Sequence, residues 1–248
     1  GLAGPRDPMA NPLTLSVWIV FWIGLVSLQG LLGDLWRYLN PWTGAAALVG
    51  RITRRRAPLR YPRSLGHWPG VLSFLAFAGF LLADPAPADP GRLAWAVGTY
   101  WAVTMMAVLL FGAAWLVRAE GLTLLMRCYG RVGMLARARG RLALGVPGWQ
   151  ILAAPGPSLG LAVLMLLLLG SGSFDGLNET FLWLDLLGLN PLEFPGRSAV
   201  VRSNLIGLMV ANAGLVAIFA GFLWLGDRLV RARTPLRVLV CRYAPTML

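Results

Sequence analysis

Five stretches of the chain carry apolar residues almost without interruption: about 13–32, 65–83, 93–117, 149–170 and 203–226. A helix that crosses a bilayer needs roughly 20 mostly apolar residues to traverse ~30 Å of hydrocarbon, and each stretch is of that order. The pattern predicts an all-α fold: a polytopic transmembrane helix bundle of about five spans plus interfacial amphipathic helices, forming a single membrane domain over 1–248. The first span is bracketed by Asn11-Pro12 and by Gly33-Asp34. The second ends in the acidic, proline-rich turn from Asp84 to Pro90. The fourth carries Pro155 and Pro157 in its first third, so it either kinks there or begins properly at Ser158.

Between the spans the chain turns polar in a one-sided way. Asn40-Pro41-Trp42 halts the helix, because proline lacks the amide donor and disfavours helix in the residue before it. A basic loop with Arg51, Arg54, Arg55, Arg56, Arg60 and Arg63 follows. A second block after the third span holds Arg118, Arg127, Arg131, Arg137, Arg139 and Arg141. Within it, Leu122, Leu125, Tyr129, Val132 and Leu135 recur at helical spacing, which predicts an amphipathic helix lying on the membrane surface. Arg228, Arg231, Arg233, Arg237 and Arg242 form a third block after the fifth span. Together the blocks hold 17 of the 22 basic residues, all on one side of an alternating five-span path. Arginine excess marks the cytoplasmic side, so the N-terminal end is expected outside and the C-terminal end inside. The acids Asp7, Asp84, Asp89, Asp175, Glu179, Asp185 and Glu193 lie on the other side, most of them in the outer loop 171–202. The final segment, Val238 to Leu248, reads as the start of a further helix or as a surface segment anchored by Arg237 and Arg242.

Composition agrees with the spans: 57% of residues are hydrophobic and 13% charged, with a mean hydropathy of +0.67. Lysine is absent, and with abundant Ala, Gly, Leu and Pro this implies a GC-rich bacterial source and an inner-membrane location. A net charge of +12 raises nucleic-acid binding, but the placement of the arginines accounts for it better. The expected partners are therefore the lipid bilayer and other membrane subunits, with no nucleic acid. Cys128 and Cys241 both fall in the basic, reducing-side segments, so no disulfide is expected. The chain opens on Gly1 without methionine, and further sequence upstream is expected.

Candidate chemistry is sparse. In the outer loop, Thr180 to Leu189 is apolar but too short to span, and suits an interfacial or re-entrant helix. If the turn at Asp175 is helical, Asp175 and Glu179 share a face one turn apart and could share a proton or a cation. The bland alternative is a cap and a solvated rim. His67 is the only histidine, and with two distant cysteines it cannot assemble a zinc site of about four ligands, so no metal is expected and no cofactor can be named. Asn204 and Asn212 lie on one side of the fifth span, and Gln29 sits late in the first. Such residues hydrogen-bond across helices or line a transport path. Gly207, Ala211 and Gly214 form a small-residue stripe beside them, as does Gly98 with Ala94 and Ala102 in the third span. These are expected helix-packing positions. The tryptophans, among them Trp18, Trp36, Trp42, Trp68, Trp95, Trp115, Trp149 and Trp183, gather near span ends as an aromatic belt.

Several short segments carry a resemblance: Gly1-Leu-Ala-Gly4, Asn11-Pro12, Gly33-Asp34-Leu-Trp-Arg-Tyr-Leu-Asn-Pro-Trp42, Tyr61-Pro62 with Trp68-Pro69, and Ser173-Phe-Asp-Gly176. Together the chain resembles the bacterial polytopic membrane proteins labelled fenitrothion hydrolase-like. The resemblance implies a multi-helix inner-membrane protein, with organophosphate ester hydrolysis attributed to a member. It also implies further helices upstream and a histidine-containing stretch after Leu248. Three readings of function follow: a non-catalytic accessory subunit of a larger membrane complex, an ester hydrolase at the outer face using Asp175 and Glu179, and a small-molecule transporter with a path along Asn204 and Asn212.

Overall fold

The computed structural model describes residues 4–53, 57–138, 140–194 and 196–248. Arg54, Arg55, Arg56 and Arg139 of the basic blocks, and the opening Gly1-Leu-Ala, lie outside the described residues. The fold is all-α, and the described residues contain one two-stranded antiparallel hairpin. The chain divides into two compact units, Gly1–Ser73 with Ala86–Ala154, and Phe74–Pro85 with Pro155–Leu248.

The first unit begins with α1 (Pro12–Leu32), a 21-residue apolar helix. Its hydrogen bonding is of the π type over Leu15–Leu25. Next come α2 (Pro41–Thr53) and the start of α3 (Trp68–Ala83), a helix shared by both units. α4 (Pro90–Phe111) ends at Gly112, whose φ of 70° breaks the predicted third span before α5 (Ala113–Arg118). α6 (Gly121–Gly130) leads into a hairpin of β1 (Leu135–Ala138) and β2 (Arg141–Leu144), with Leu135 opposite Leu144. The unit closes with α7 (Trp149–Ala153).

One local device starts several of these elements. Asn11-Pro12, Asn40-Pro41, Asp89-Pro90 and Asn190-Pro191 each place an Asx side chain before a proline in the first turn. The side-chain oxygen accepts the amide two or three residues on: Leu13 at 3.0 Å, Trp42 at 3.0 Å, Arg92 at 2.8 Å and Leu192 at 3.1 Å. Asn40-Pro41 therefore starts a helix as well as ending one. The basic loop expected after it begins as α2, because proline at the first helical position forfeits no hydrogen bond.

α6 is where hydrophobic spacing alone misleads. The helix covers only Gly121–Gly130, since Val132 lies in a turn and Leu135 in β1, and eight of its ten residues are buried, Leu124 and Met126 as fully as Leu122 and Leu125. It is threaded through the unit and does not lie on a surface. Gly70 admits it closely, since a Cβ there would stand 3.3 Å from the Arg118 carbonyl and crowd Leu124. Gly130 faces the Gln29 amide at 3.0 Å and the Asp34 backbone at 3.2 Å in the same sense. Trp36 and Trp42 are likewise interior, at 5% and 3% exposure, whereas Trp95 at 70% and Trp68 at 45% suit a belt. The interior pair point their indole N–H groups at partners: Trp36 to Thr123 Oγ1 at 3.1 Å and Trp42 to the Trp101 carbonyl at 3.2 Å.

The second unit is built on α8 (Leu159–Asn178) packed along α10 (Val201–Leu229). The proline pair at 155 and 157 ends α7, and Ser158 caps α8, so the expected span 149–170 is displaced toward the C-terminus. As a result the first residues of the expected outer loop, Ser171 to Asn178, are the last two turns of α8. α9 (Phe181–Leu186) is the short apolar helix of that loop. α11 (Leu236–Tyr243) and the turn Ala244–Met247 fold back onto α8, burying Val240 and Ala244 against Ala162 and Leu166. Among the described residues, four helices, α1, α4, α8 and α10, are long and apolar enough to cross a membrane. α3, at 16 residues, reaches about 24 Å at 1.5 Å per residue, short of the ~30 Å core.

Candidate functional site

The two acids singled out from sequence sit at the C-terminal end of α8. Asp175 is in its last full turn and Glu179 is its C-cap residue. Both are exposed, and Glu179 Oε1 stands 3.4 Å from an Arg197 guanidinium nitrogen. Acids at a helix C-terminus oppose the helix dipole, and Arg197 offsets part of that cost. The arrangement is a carboxylate pair on an exposed rim with one arginine beside it. Among the described residues, no group of three or more His, Cys, Asp or Glu side chains converges as a metal site would.

Immediately beneath that rim, the polar residues of the second unit converge on the end of α3. Asn178 and Asn204 donate to the Leu82 carbonyl at 3.3 and 3.2 Å, and Arg197 donates to the Leu81 and Leu82 carbonyls at 3.1 and 3.2 Å. The last carbonyls of a helix have no partner inside it, and in a hydrocarbon setting leaving them bare costs several kcal/mol each. Asn178, Arg197 and Asn204 therefore act together as a side-chain cap on α3. Trp183 Nε1 donates to Asn204 Oδ1 at 2.9 Å, holding that amide in place. Gly207 lets the aromatic pair close over it: a Cβ there would stand 2.6 Å from the Phe174 and Trp183 rings. Asn178 Oδ1 is buried without a hydrogen-bond partner among the described residues.

Asn204 and Gly207 are buried in α10, and so is Asn212. Its amide donates to Ser171 Oγ at 3.1 Å and to the Leu208 carbonyl at 2.9 Å, while Gly170 leaves room for it. Asn204 and Asn212 are both buried and both spend their donors inside the chain. Ala211 is half-buried in α10. Gly214 and Gly98 differ: a Cβ at either would meet nothing within 4 Å.

The first unit contains an acid that sequence reasoning passed over. Glu120 is 1% exposed and caps α6, its carboxylate accepting the amides of Leu122 at 2.9 Å and Thr123 at 2.6 Å. Tyr100 O–H donates to the same carboxylate, and Ser73 Oγ bridges Tyr100 at 3.1 Å to the Gly121 amide at 3.1 Å. Burial pushes the Glu120 carboxyl above its usual range, opposed by the hydrogen bonds from Thr123, Tyr100 and Leu122. Farther along the same helix, Gln29 donates to the Met126 carbonyl at 2.8 Å and accepts the Trp36 amide at 2.9 Å. Asn40 donates to Thr123 at 3.0 Å. The sequence did hold one signal: Glu120 is the only acid between Asp89 and Asp175, and it stands immediately before a helical run. Glutamate is not among the favoured capping residues, so the position reads as unremarkable.

His67 is half-buried just ahead of α3, and burial, then the charges of Arg127, Arg118 and Arg131, lower its affinity for a proton. Its imidazole is thus held neutral. Cys128 is buried and its thiol is pushed up to about 12 by that burial, so it is not a nucleophile at neutral pH. The two cysteines are both free. The Asn-Pro-Trp and Ser-Phe-Asp-Gly segments that carry the family resemblance fall at structural joints: Asn40 caps α2, Trp42 is interior, and Phe174 lies 5.2 Å edge-on to Trp183. Compared with known proteins, the chain matches no family model, no curated protein and no solved structure.

Proposed function

We propose that this chain is a non-catalytic accessory subunit of a larger assembly in a bacterial inner membrane, with its N-terminal end outside and its C-terminal end in the cytoplasm. The observation that supports this best is how the buried polar groups are used. Glu120 caps the start of α6 and Asn204 the end of α3, Gln29 and Asn40 bond to Met126 and Thr123 of α6, and Asn212 bonds to Ser171 of α8 and to Leu208, so these buried groups are used to hold helices in place. Meanwhile the hydrophobic windows of α1 and α10 are only 6% and 17% buried inside the chain. Gly98, Gly214 and Gly221 stand on helix faces where an added Cβ meets nothing within 4 Å. Lipid tails are as apolar as leucine, so helices associate in a membrane chiefly through close backbone approach, which such glycines permit. The orientation follows from the arginine blocks.

The test is extraction from native membranes in a mild detergent, followed by mass spectrometry of what co-purifies. Partners at fixed stoichiometry support the subunit reading, and a lone, monodisperse and active chain overturns it.

A second reading has one specific observation behind it. Asp175 and Glu179, with Arg197 at 3.4 Å from Glu179, place two carboxylates and a guanidinium on one exposed rim. Arginine is well shaped to hold a phosphoryl oxygen. The resemblance attributes organophosphate ester hydrolysis to a member of that family, and this rim is where the chain would carry such a reaction at the outer face. Phosphotriester hydrolysis by purified protein, abolished in an Asp175→Ala, Glu179→Ala double variant, supports it; equal activity in that variant removes it. The transporter reading is weakened by Asn204 and Asn212, which are buried and hydrogen-bonded inside the chain.

A further inference from the structure

The basic end of the second unit carries a cavity of about 360 Å³ between the last turns of α10 and α11, lined in part by Asp227, Thr234, Arg242 and Tyr243. A second cavity of about 400 Å³, with an almost wholly apolar lining, runs along α8 and α10 past Leu169, Ile218 and Phe219. The two share Phe222 and Leu223 as walls. A chamber whose wall is mostly apolar but carries Asp227, Thr234, Arg242 and Tyr243 therefore abuts a hydrocarbon groove.

We propose that this double cavity binds one anionic phospholipid, with its phosphate at the Arg242 end and an acyl chain along Ile218 and Leu169. Charge argues for an anion. Arg242 lines the chamber, within a segment that carries four more arginines, Arg228, Arg231, Arg233 and Arg237, and Asp227 is the one acid among the lining residues. Asp227 is engaged within the fold, its carboxylate accepting the Thr234 amide at 2.9 Å. Two of the guanidinium groups are steadied by stacking: Arg242 lies 5.8 Å from the Tyr243 ring and Arg228 lies 5.5 Å from the Trp224 ring. Stacking positions a guanidinium through its face and leaves its N–H donors in the plane for phosphate oxygens. The rim itself is an unusual turn, because Arg231 and Arg233 hold φ of 55° and 57°, a conformation that costs energy in any residue but glycine. The groove supplies the other half of an amphiphile's recognition: Ile218 and Phe222 are 61% and 72% exposed within the chain, on its open side. A transmembrane partner helix would fill the apolar half but leave the arginines without a counter-charge.

The test uses the full chain purified in detergent and examined by native mass spectrometry with phosphatidylglycerol, phosphatidylcholine and glycerol 3-phosphate as probes. The expected result is one phosphatidylglycerol retained per chain in preference to phosphatidylcholine. Arg242→Gln should weaken it about fivefold, as an arginine near an anionic lipid surface is worth. Ile218→Trp, a change on an exposed face, should block the lipid while leaving circular dichroism and monodispersity intact. Equal retention of the two lipids, unchanged affinity in Arg242→Gln, or displacement of phosphatidylglycerol by equimolar glycerol 3-phosphate would each overturn the proposal. The last of these would mark a free-phosphate site. Absence of any lipid adduct on the full chain would also overturn it.

Discussion

Gly207 and Gly214 lie two turns apart in the same helix, and the same substitution should act on them in opposite directions. At Gly207 an added Cβ would stand 2.6 Å from the Phe174 and Trp183 rings, overlapping them by about 1 Å relative to a comfortable carbon contact. The rings cannot simply swing aside. Phe174 is 1% exposed, it meets Trp183 edge-on at 5.2 Å, and Trp183 is tethered through its indole N–H to Asn204 at 2.9 Å. Overpacking of that kind costs about 1–3 kcal/mol. Replacing a helical glycine by alanine returns about 0.5–1 kcal/mol, so Gly207→Ala should destabilise by roughly 1–2 kcal/mol. At Gly214, where nothing lies within 4 Å, only the favourable part remains. Gly214→Ala should be neutral or more stable by about 0.5–1 kcal/mol. The assay is thermal unfolding of the purified full chain in one detergent, followed by circular dichroism and tryptophan fluorescence. Equal midpoints for the two variants would refute the claim that α10 is locked at Gly207 and open at Gly214.

Glu120→Gln should lose about 1–3 kcal/mol, because one of the two capping oxygens becomes an N–H₂ facing a backbone amide. Since burial raises the folded-state Glu120 pKa above its unfolded value, this carboxyl's share of stability is complete below the ordinary carboxylate range. It is lost as pH rises through the raised value, and unfolding midpoints measured against pH should show that slope in wild type and not in Glu120→Gln. Asn204→Leu removes a donor from the Leu82 carbonyl and the acceptor of Trp183. It should cost about 1–2 kcal/mol, read as a lower unfolding midpoint. A maleimide should label Cys241, which is partly exposed, well before Cys128, which is buried with its thiol pushed up to about 12. Peptide mapping after a short exposure checks the order, and equal labelling of both would contradict the interior placement of α6.

What the sequence by itself determined is local. Long apolar runs foreshadowed α1, α4, α8 and α10, whereas the run at 65–83 forms the shorter α3. An Asx-Pro pair caps a helix from within four residues, and the two cysteines expected to be unpaired are free. The tertiary structure decided which faces are inside. Lipid and protein core present the same apolar surroundings, so Leu124 against a helix and Ile218 on an open face look alike as letters. That is why α6 was expected on a surface and is found threaded through the first unit, and why Trp36 and Trp42 passed for belt residues. Gly112 moved the end of the third span by a turn or more, because a hydropathy run does not register a single left-handed residue, whereas the proline pair at 155 and 157 marked in the sequence the alternative start at Ser158 that the structure shows. The polar centres were least legible of all. Asn178, Arg197 and Asn204 are spread along the sequence, and what unites them is the end of α3, whose unpaired carbonyls exist only once that helix is folded beside them. Glu120 gained its role the same way: a lone glutamate becomes a buried cap when Tyr100 and Ser73 are brought to its side.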